Sequence, residues 1–323
     1  FEKFISIHIT SDLPSSLVQH FPEINILTSQ TGLDPQIIFS DTEYMHNTFF
    51  KFWLGHKLEA KIPFYTSQHG GYWGNNKQPV HLNDVFTQNN IKWHEPLIKN
   101  SFQMPVIQLT KFLNFRPNYS LFKKLLIIGH NTTKFPRYLG TGPVSNEIFN
   151  QVDILNGFLS KLNNHIKKDI YFRPYKPVRY WKIERELQKN NNLNKLENNL
   201  EYFKIFKKSR VIITTHPRTA FLEALVSGPT IIILNENYYS EDKKMNDAMQ
   251  QLKKAKIMFT DYGHAAKHLN EVWNNINDWW LNKETIDSKN IFLKVVAPTK
   301  KKALNQWINF CYNQKKIIKK NEK

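Results

Sequence analysis

The chain has 323 residues, 41% hydrophobic and 14% aromatic, a composition that excludes a disordered protein and leaves room for two ordinary domains. Its one cysteine, Cys311, excludes an internal disulfide and a cysteine-based metal cluster, and no apolar run approaches the roughly 20 residues that span a bilayer. With 45 Lys and Arg against 27 Asp and Glu, the net charge of +18 favours anionic partners, namely nucleic acid, an anionic membrane surface or small anionic substrates.

The positive charge by itself does not indicate a nucleic-acid-binding protein. Part of the excess lies in lysine-rich patches near the C-terminus, Lys300 to Lys302 and Lys315 to Lys323. No zinc finger, RNP motif or basic heptad repeat accompanies these lysines, so we do not expect nucleic acid as a partner. The sequence shows no apolar leader segment, which favours a cytoplasmic protein.

The first third of the chain predicts short strands separated by helical segments. Apolar runs without alternation are typical of strands that are buried on both faces of a parallel sheet. One helix is expected over Asn47–Lys61, with Phe49, Phe50, Trp53 and Leu58 on its apolar face. The predicted strands are Phe4–Ile9, Ile24–Thr28, Gln36–Ser40, Pro63–Ser67 and Val106–Thr110.

Carboxylates follow the strand Gln36–Ser40 directly. Asp41 is our candidate for a general base, which would deprotonate the hydroxyl of an acceptor molecule in a group-transfer reaction. Glu43 lies two residues further on, and either carboxylate could equally cap the helix that comes next. We favour the base for Asp41 and the cap for Glu43.

A glycine-rich turn follows the strand Pro63–Ser67. It contains Gln68, His69, Gly70 and Gly71. Glycines allow a substrate to approach the backbone closely, and a histidine at a strand end can donate a hydrogen bond or move a proton near neutral pH. The other interpretation is a tight turn followed by core aromatic residues; the clustering of glycines beside a Gln and a His favours a site.

The rest of the chain predicts a second series of strands. The segment Leu113–Lys124 is the expected linker between the two series, and a helix is expected over Ser145–Ile166. Arg137 and Arg173 follow two of the strands, and the guanidinium fork suits a diphosphate or a carboxylate. Salt bridging between domains is an equal alternative for Arg137. The predicted strands are Leu125–Gly129, Asp169–Pro174, Val211–Thr215, Thr230–Leu234 and Ile257–Thr260.

The most informative motif is a polar turn between the strand Val211–Thr215 and a helix over Ala220–Val226. A helix N-terminus carries free N–H groups and a partial positive charge, so the turn suits an anionic phosphate group. Glu223, one turn into the helix, could accept hydrogen bonds from ribose hydroxyls. The alternative is that Thr219 only caps the helix. The candidate donor-binding residues here are His216, Pro217, Arg218, Thr219 and Glu223.

The alternation of strands and helices predicts an α/β protein with two Rossmann-type domains that face each other across a cleft. Residues 1–120 would form an N-terminal domain on the acceptor side. Residues 121–323 would form a C-terminal domain that binds a nucleotide-sugar donor and carries the C-terminal helices. Each candidate residue group follows a strand, where open α/β sheets bind their ligands.

The segments Gln68–Gly74 and Thr219–Glu223 resemble a family of bacterial transferases from surface-polysaccharide gene clusters, and the region Ala265–Trp280 resembles the C-terminal region of that family. The resemblance covers about Asp34 to Pro298. It implies a GT-B glycosyltransferase, similar in layout to CDP-glycerol glycerophosphotransferases, Kdo transferases and bacterial polysialyltransferases. Members of the family are longer than this chain, which favours a first domain without its opening strands.

In that wider group a His-Gly turn of the first domain faces the active site, and a His-Pro or Ser/Thr-rich turn of the second holds the phosphate of a cytidine nucleotide. The resemblance therefore implies that His69 occupies the first position. It implies that His216, Pro217 and Thr219 occupy the second, with Glu223 at the ribose.

These observations lead us to expect a metal-independent glycosyltransferase of cell-surface glycan synthesis that uses no cofactor. The donor would be a CMP-linked acidic keto-sugar and the acceptor a saccharide or a lipid-linked glycan. Asp41 or His69 would take the acceptor proton, while His216, Thr219 and the helix N-terminus stabilise the departing phosphate. The alternatives are a nucleotide-sugar epimerase on the same fold and a non-catalytic module that binds glycan or nucleic acid.

The C-terminal tail allows two interpretations. Over Trp307–Lys320, aromatic and aliphatic residues lie among lysines, as in helices that lie on anionic lipid. Such a tail would place the protein peripherally on the inner membrane face. Alternatively, the helix packs back across the two domains.

Overall fold

Two parallel β-sheets organise the chain in the computed structural model. The structure describes residues 13–71, 89–94, 101–113, 117–131, 148–174, 181–196, 201–234 and 243–321. The strands of the first sheet lie within residues 38–103, and those of the second lie within residues 124–259. The predicted α/β class with two parallel sheets is confirmed.

The first sheet has four parallel strands in the order of the sequence. They are β1 (Ile38–Ser40), β2 (Phe64–Ser67), β3 (Asn90–Lys92) and β4 (Ser101–Gln103). The described helices of this half are α1 (Ser15–Val18), α2 (Phe21–Ser29), α3 (Glu43–His46), α4 (Thr48–Glu59) and the 3-10 helices Ile107–Phe112 and Tyr119–Leu121.

The second sheet has six parallel strands in the order β10-β9-β8-β5-β6-β7. They are β5 (Lys124–Ile128), β6 (Ile170–Arg173), β7 (Asn194–Lys195), β8 (Ser209–Thr214), β9 (Thr230–Ile233) and β10 (Met258–Phe259). The described helices here are α5 (Ile148–Ser160), α6 (Asn164–Lys167), α7 (Ile183–Asn190), α8 (Tyr202–Phe206), α9 (Thr219–Ser227), α10 (Lys243–Lys254), α11 (Tyr262–Val272), α12 (Ile276–Trp280), α13 (Lys283–Val296) and α14 (Ala303–Asn321).

The unit β8–α9–β9 lies at the centre of the second half. Every residue of β8 and β9 is buried, as expected for strands covered on both faces. In α9, all seven residues from Phe221 to Ser227 are buried as well. A helix that is buried this completely holds its first turn in a fixed position, and the polar turn before it is fixed in the same way.

Neighbouring residues of β2 point to opposite faces of the first sheet, because side chains alternate along a strand. Phe64 packs with Ile38 and with Trp53 and Leu54 of α4. Tyr65 packs on the other face in a separate cluster with Ile91 and Met104. The short sheet therefore separates two small apolar clusters.

The second of these clusters is covered by α14, which returns from the end of the chain. Trp307 and Phe310 pack against the cluster, and the Trp307 indole Nε1 donates to the Pro105 carbonyl oxygen at 2.9 Å. The Tyr65 hydroxyl donates to Gln314 Oε1 at 2.8 Å. These side chains therefore pack back onto the protein, as the second interpretation of the tail predicted. A helix from the predicted second domain thus covers the first sheet.

The predicted domain boundary at residue 120 stays a prediction.

The described part of the predicted linker Leu113–Lys124 is packed against the second half. The Tyr119 ring is buried, and its hydroxyl donates to the Ser227 carbonyl oxygen at 3.0 Å. The buried Arg210 guanidinium at the start of β8 donates to the carbonyl oxygens of Ser120 at 3.0 Å and Phe122 at 2.9 Å. Hydrogen bonds from within the second 3-10 helix and from the residue after it thus hold this segment to the second half.

Two predicted strands are wrong. Ile24–Thr28 lies in α2, which has Pro22 in its first turn, and the Thr28 hydroxyl donates to the Ile24 carbonyl four residues earlier. Val106–Thr110 lies largely in the 3-10 helix Ile107–Phe112, where Leu109 and Phe112 are buried at the three-residue spacing of that helix. Short apolar runs fit strands and helices equally well, which explains both errors.

Other differences from the predicted elements are smaller. The helix expected over Ser145–Ile166 ends at Ser160 within the described residues, and α6 follows separately. On α4, Phe49 and Leu58 are exposed, whereas Trp53 is buried as predicted. Strands β3 and β4 were not predicted, because three-residue strands with polar ends carry little apolar signal. The predicted strand Phe4–Ile9 lies outside the described residues.

The helices within the described residues include none whose length and hydropathy would suit a membrane span.

Candidate functional site

The strand order of the second sheet defines where a ligand would bind. From β5 the chain proceeds to β6 and β7 on one side, then returns to β8, β9 and β10 on the other. This is the doubly wound order 3-2-1-4-5-6, in which the direction of winding reverses between the first and fourth strands. In open α/β sheets the crevice at this reversal, beyond the carboxyl ends of the strands, is where ligands bind. Here it lies beyond Ile128 of β5 and Thr214 of β8.

The polar turn predicted from the sequence begins at this crevice. Thr215, His216 and Pro217 are buried, and Arg218 and Thr219 are partly exposed. The Thr215 hydroxyl donates to Gln151 Oε1 of α5 at 3.0 Å, which fixes the start of the turn. The structure thus places the predicted donor-binding residues of this turn at the reversal point of the sheet.

The ring of His216 faces a second histidine that sequence reasoning missed. His130 follows β5, and its ring centroid lies 3.6 Å from that of His216 with the planes inclined by 41°. Burial lowers the pKa of His130, the positive charge of Arg218 acts in the same direction, and together they bring it to about 3. His130 is therefore neutral at physiological pH. The signal that could have found it is its position, two residues after a buried strand.

The N-terminus of α9 carries no side-chain cap. Its N-cap residue is Arg218, whose side chain has no acceptor atom, and Thr219 is the first helical residue. The alternative that Thr219 caps the helix is therefore not what the structure shows. Among the described residues, no acceptor receives a hydrogen bond from the backbone N–H of Thr219 or Ala220. Uncapped N–H groups and a neighbouring guanidinium give this turn a positive potential.

The glycine turn of the first sheet lies directly against the start of α9. The Gly71 N–H donates to Thr219 Oγ1 at 2.8 Å. A Cβ on Gly71 would lie 2.8 Å from the Thr219 backbone nitrogen, and one on Gly70 would lie 2.9 Å from Thr219 Oγ1. The glycines were predicted to admit a substrate, but the close approach that requires them is to this helix.

Gln68 braces the turn from within. Its amide nitrogen donates to the Gly70 carbonyl oxygen at 2.7 Å, and its Oε1 accepts from the Trp93 N–H at 2.9 Å. Its own backbone N–H donates to the Ile91 carbonyl oxygen. The Gln68 amide thus links the turn to the residues after β3. Gln68 was predicted to belong to the acceptor turn, and in the structure it supports that turn.

His69 and Asp41 form a hydrogen-bonded pair. His69 Nδ1 lies 2.9 Å from Asp41 Oδ2, and both side chains are exposed. Partial burial raises the pKa of Asp41, but the hydrogen bond and charge of His69, together with hydrogen bonds from Thr42 and the backbone, lower it overall. Asp41 therefore stays ionised and orients the imidazole, leaving Nε2 directed away from the pair. The sequence presented the two residues as alternatives, and the structure joins them.

Glu223 lies on the buried side of α9, 9% exposed. Burial raises the pKa of its carboxyl, while the positive charges of Lys111 and Arg173 act to lower it. Within the described residues no hydrogen bond or salt bridge engages the carboxylate. A desolvated carboxylate with cations nearby is suited to accept hydrogen bonds from ligand hydroxyls.

The structure describes one of the two predicted arginines, Arg173. The Arg173 guanidinium lies at the end of β6, 3.8 Å from the centre of the Tyr202 ring. Arg137 lies outside the described residues. In the described parts of the chain, no group of three or more His, Cys, Asp or Glu side chains is arranged to hold a metal ion.

Comparison with known proteins identifies the family. The model of the LIC12162 family transferases matches residues 1–310, so the chain belongs to this family of transferases. The resemblance to a transferase family is thereby confirmed. A comparison with curated proteins gives no significant match.

Solved structures of a wall teichoic acid polymerase, TagF, are similar to the chain at low identity. One has a TM-score of 0.45 at 9% identity and covers 94% of this chain and 95% of that chain. A TagF variant soaked with CDPG has a TM-score of 0.44 at 10% identity, with coverage of 94% and 95%.

Proposed function

Starting from the family of transferases to which the chain belongs, we propose that it is a GT-B glycosyltransferase of cell-surface glycan synthesis. Its donor is a nucleotide-activated sugar, and a CMP-linked acidic keto-sugar is the donor that the sequence resemblance favours. One observation carries the proposal. The uncapped turn at the reversal point of the second sheet is in direct contact with the turn that carries the His69–Asp41 pair.

The donor phosphate would bind at the start of α9. Arg218 supplies a fixed positive charge, and the N–H groups of the first turn supply donors for phosphate oxygens. Glu223 lies one helical turn further along and would accept hydrogen bonds from the ribose hydroxyls. This division places the negative phosphate at the positive helix end and separates it from the carboxylate.

The acceptor would be activated by His69. As the acceptor oxygen bonds to the anomeric carbon, its proton passes to His69 Nε2 and Asp41 stabilises the resulting imidazolium through Nδ1–H. The bond between the anomeric carbon and the phosphate oxygen breaks at the same time, and the electron pair leaves with the nucleotide. Arg218, His216 and the helix N-terminus stabilise that departing charge, a contribution that requires no divalent metal.

We further propose that the enzyme works in the cytoplasm at an anionic membrane surface, where it would meet a lipid-linked glycan acceptor. Support comes from the outer face of α14, where Leu304, Ile308 and Tyr312 are 58%, 44% and 63% exposed at four-residue spacing. Exposed lysines, Lys300 to Lys302, precede them. An apolar stripe beside lysines suits the interface of an anionic bilayer.

Nucleotide binding tests the proposed function. Purified protein is screened by thermal shift against CMP, CDP, UDP, GDP and a CMP-linked keto-sugar. We expect the cytidine nucleotides to raise the melting temperature and His216→Ala to abolish the gain, because a ligand that binds only the folded state stabilises it. A response to UDP or GDP alone would reject the cytidine donor, and no response to any of them would reject the function.

A further inference from the structure

His130 is held at the crevice by the backbone that precedes it. The Gly129 N–H donates to the Arg173 carbonyl oxygen at 2.9 Å, and a Cβ on Gly129 would lie 2.6 Å from Phe172 Cζ. Because only glycine fits there, the end of β5 lies tightly against β6. The His130 ring lies on the opposite side, against His216 at the end of β8. The contact between the two imidazoles therefore spans the reversal point of the sheet.

The two residues differ in their access to solvent. His216 is 5% exposed, whereas His130 is partly exposed. Of the two residues, His130 is therefore the more accessible to a ligand in the crevice, and the His216 ring packs against it. Arg218, whose charge acts on His130, lies in the same turn as His216. An anion that binds Arg218 would consequently find an imidazole beside it.

We propose that His130 is a phosphate-binding residue of the donor site, which donates a ring N–H to a phosphate oxygen while His216 fixes the orientation of its ring. This inference rests on the proposed function and adds to it a residue on the opposite strand of the crevice. Neutral imidazole carries one N–H donor and can bind an anion without adding charge to the empty site. With Arg218 and the N-terminus of α9, it would surround the phosphate from both strands that border the reversal point.

The test separates phosphate recognition from a structural role. The nucleotide that gives the largest thermal shift on the wild type is titrated calorimetrically, in parallel with the matching nucleoside, which lacks phosphate. The variants are His130→Ala, His130→Phe, which keeps a ring against His216, and His130→Gln, which keeps a donor. His264→Ala, which removes a histidine that is 81% exposed on α11, serves as the control.

We expect His130→Ala and His130→Phe to weaken nucleotide binding about tenfold, the effect of one hydrogen bond to a charged group, without weakening nucleoside binding. His130→Gln should recover part of the loss and His264→Ala should bind as the wild type does. Nucleotide binding by His130→Phe that equals the wild type overturns the inference, as does an equal loss for nucleotide and nucleoside. In either case the proposed function stands, since the wild type still binds; a wild type that binds no nucleotide overturns both.

Discussion

The backbone N–H of Gly71 donates to the hydroxyl oxygen of Thr219 across 148 residues of sequence, at 2.8 Å. This hydrogen bond joins a turn of the first sheet to the first residue of α9 in the second. Two motifs that the sequence singled out independently are therefore in direct contact. Their relative position depends on the absence of a side chain at Gly71.

We expect Gly71→Ala to destabilise the contact between the two sheets. The added Cβ would lie 2.8 Å from both the Thr219 nitrogen and Leu222 Cδ1. The backbone of a buried helix can shift to relieve such a clash only at a cost in free energy. Overpacking of this kind costs about 1–3 kcal/mol. Chemical denaturation should show the loss, and thermal shift should show weaker nucleotide binding.

Gly55→Ala is the matched control for this substitution. Gly55 lies within α4, and a Cβ there would meet nothing within 4 Å. Alanine should stabilise this helix by about 0.5–1 kcal/mol, because glycine loses more backbone entropy on folding. A Gly71→Ala variant as stable as Gly55→Ala would show that the contact across the sheets does not constrain the turn.

The Asp41–His69 pair should behave as a unit in catalysis. With an assay for sugar transfer, His69→Ala should lower kcat about 10²–10⁴-fold, the usual contribution of a general base. Asp41→Asn should lower kcat as well, and the double variant should be no slower than His69→Ala, since Asp41 acts through the imidazole.

Nucleotide binding provides the control for the pair. Both side chains are exposed, so the melting temperature and nucleotide affinity of each variant should stay close to those of the wild type. Additive losses of kcat in the double variant would contradict the assignment of Asp41 as the partner of His69.

The sequence predicted the positions of the candidate residues better than their contacts. Asp41, His69 and His216 could be singled out because polar residues after buried strands lie at the carboxyl edge of a parallel sheet. The pairing of Asp41 with His69 and the contact of Gly71 with Thr219 join residues far apart in the chain, and local patterns carry no information on such distances. His130 lacked a neighbouring motif. The strands β3 and β4 lack the apolar run that identifies β8 and β9 in the sequence. They are three-residue strands at one side of a four-stranded sheet, whereas β8 and β9 are buried throughout.

Glu223→Gln should stabilise the free protein and weaken nucleotide binding. Burial raises the pKa of this carboxyl, so its ionised form lowers the stability of the folded state at pH values above the folded-state pKa. The neutral amide removes that cost, and we expect the melting temperature at pH 7.5 to rise by roughly 1–3 °C.

The pH dependence checks the sign of this effect. As pH falls through the folded-state pKa of Glu223, the wild-type carboxyl takes up a proton, and the advantage of the amide should shrink. A difference in melting temperature that is constant from pH 7.5 to pH 4 would exclude the desolvated carboxylate as its cause.

His268 should make the protein lose stability in mild acid. Its ring is buried between Phe259 and Trp279, and burial, assisted by the charge of Lys256, lowers its pKa to about 4. The unfolded chain takes up a proton below about pH 6.5, whereas the folded protein does so only near pH 4. Stability is therefore lost as pH falls from 6.5 to 4, at up to about 1.4 kcal/mol per pH unit.

Urea denaturation between pH 7 and pH 4.5 measures this slope. His268→Phe should reduce it, and the remaining slope should include the contribution of His130, whose pKa is lowered in the same direction. His165→Gln, a change at an exposed histidine, should leave the slope unchanged. An unaltered slope in His268→Phe would be inconsistent with a neutral buried imidazole.

Binding to vesicles tests the outer face of α14. Vesicles of phosphatidylglycerol should sediment the protein and vesicles of phosphatidylcholine should not, because each lysine near an anionic surface contributes about 1 kcal/mol. Ile308→Ser with Tyr312→Ser should reduce binding, whereas Leu121→Ser, at a side chain that is 75% exposed elsewhere, should not. Equal binding to both lipids, or insensitivity to salt, would exclude the anionic interface.

The return of α14 to the first sheet has a mechanical consequence. The chain passes between the two sheets once near Tyr119 and again between α13 and Trp307, so two covalent connections join them. A pair of bodies joined at two points keeps rotation about the line through both points as its easiest movement. Any opening that separates Gly71 from Thr219 should therefore follow that single axis, and it would move the proposed proton acceptor away from the proposed phosphate site.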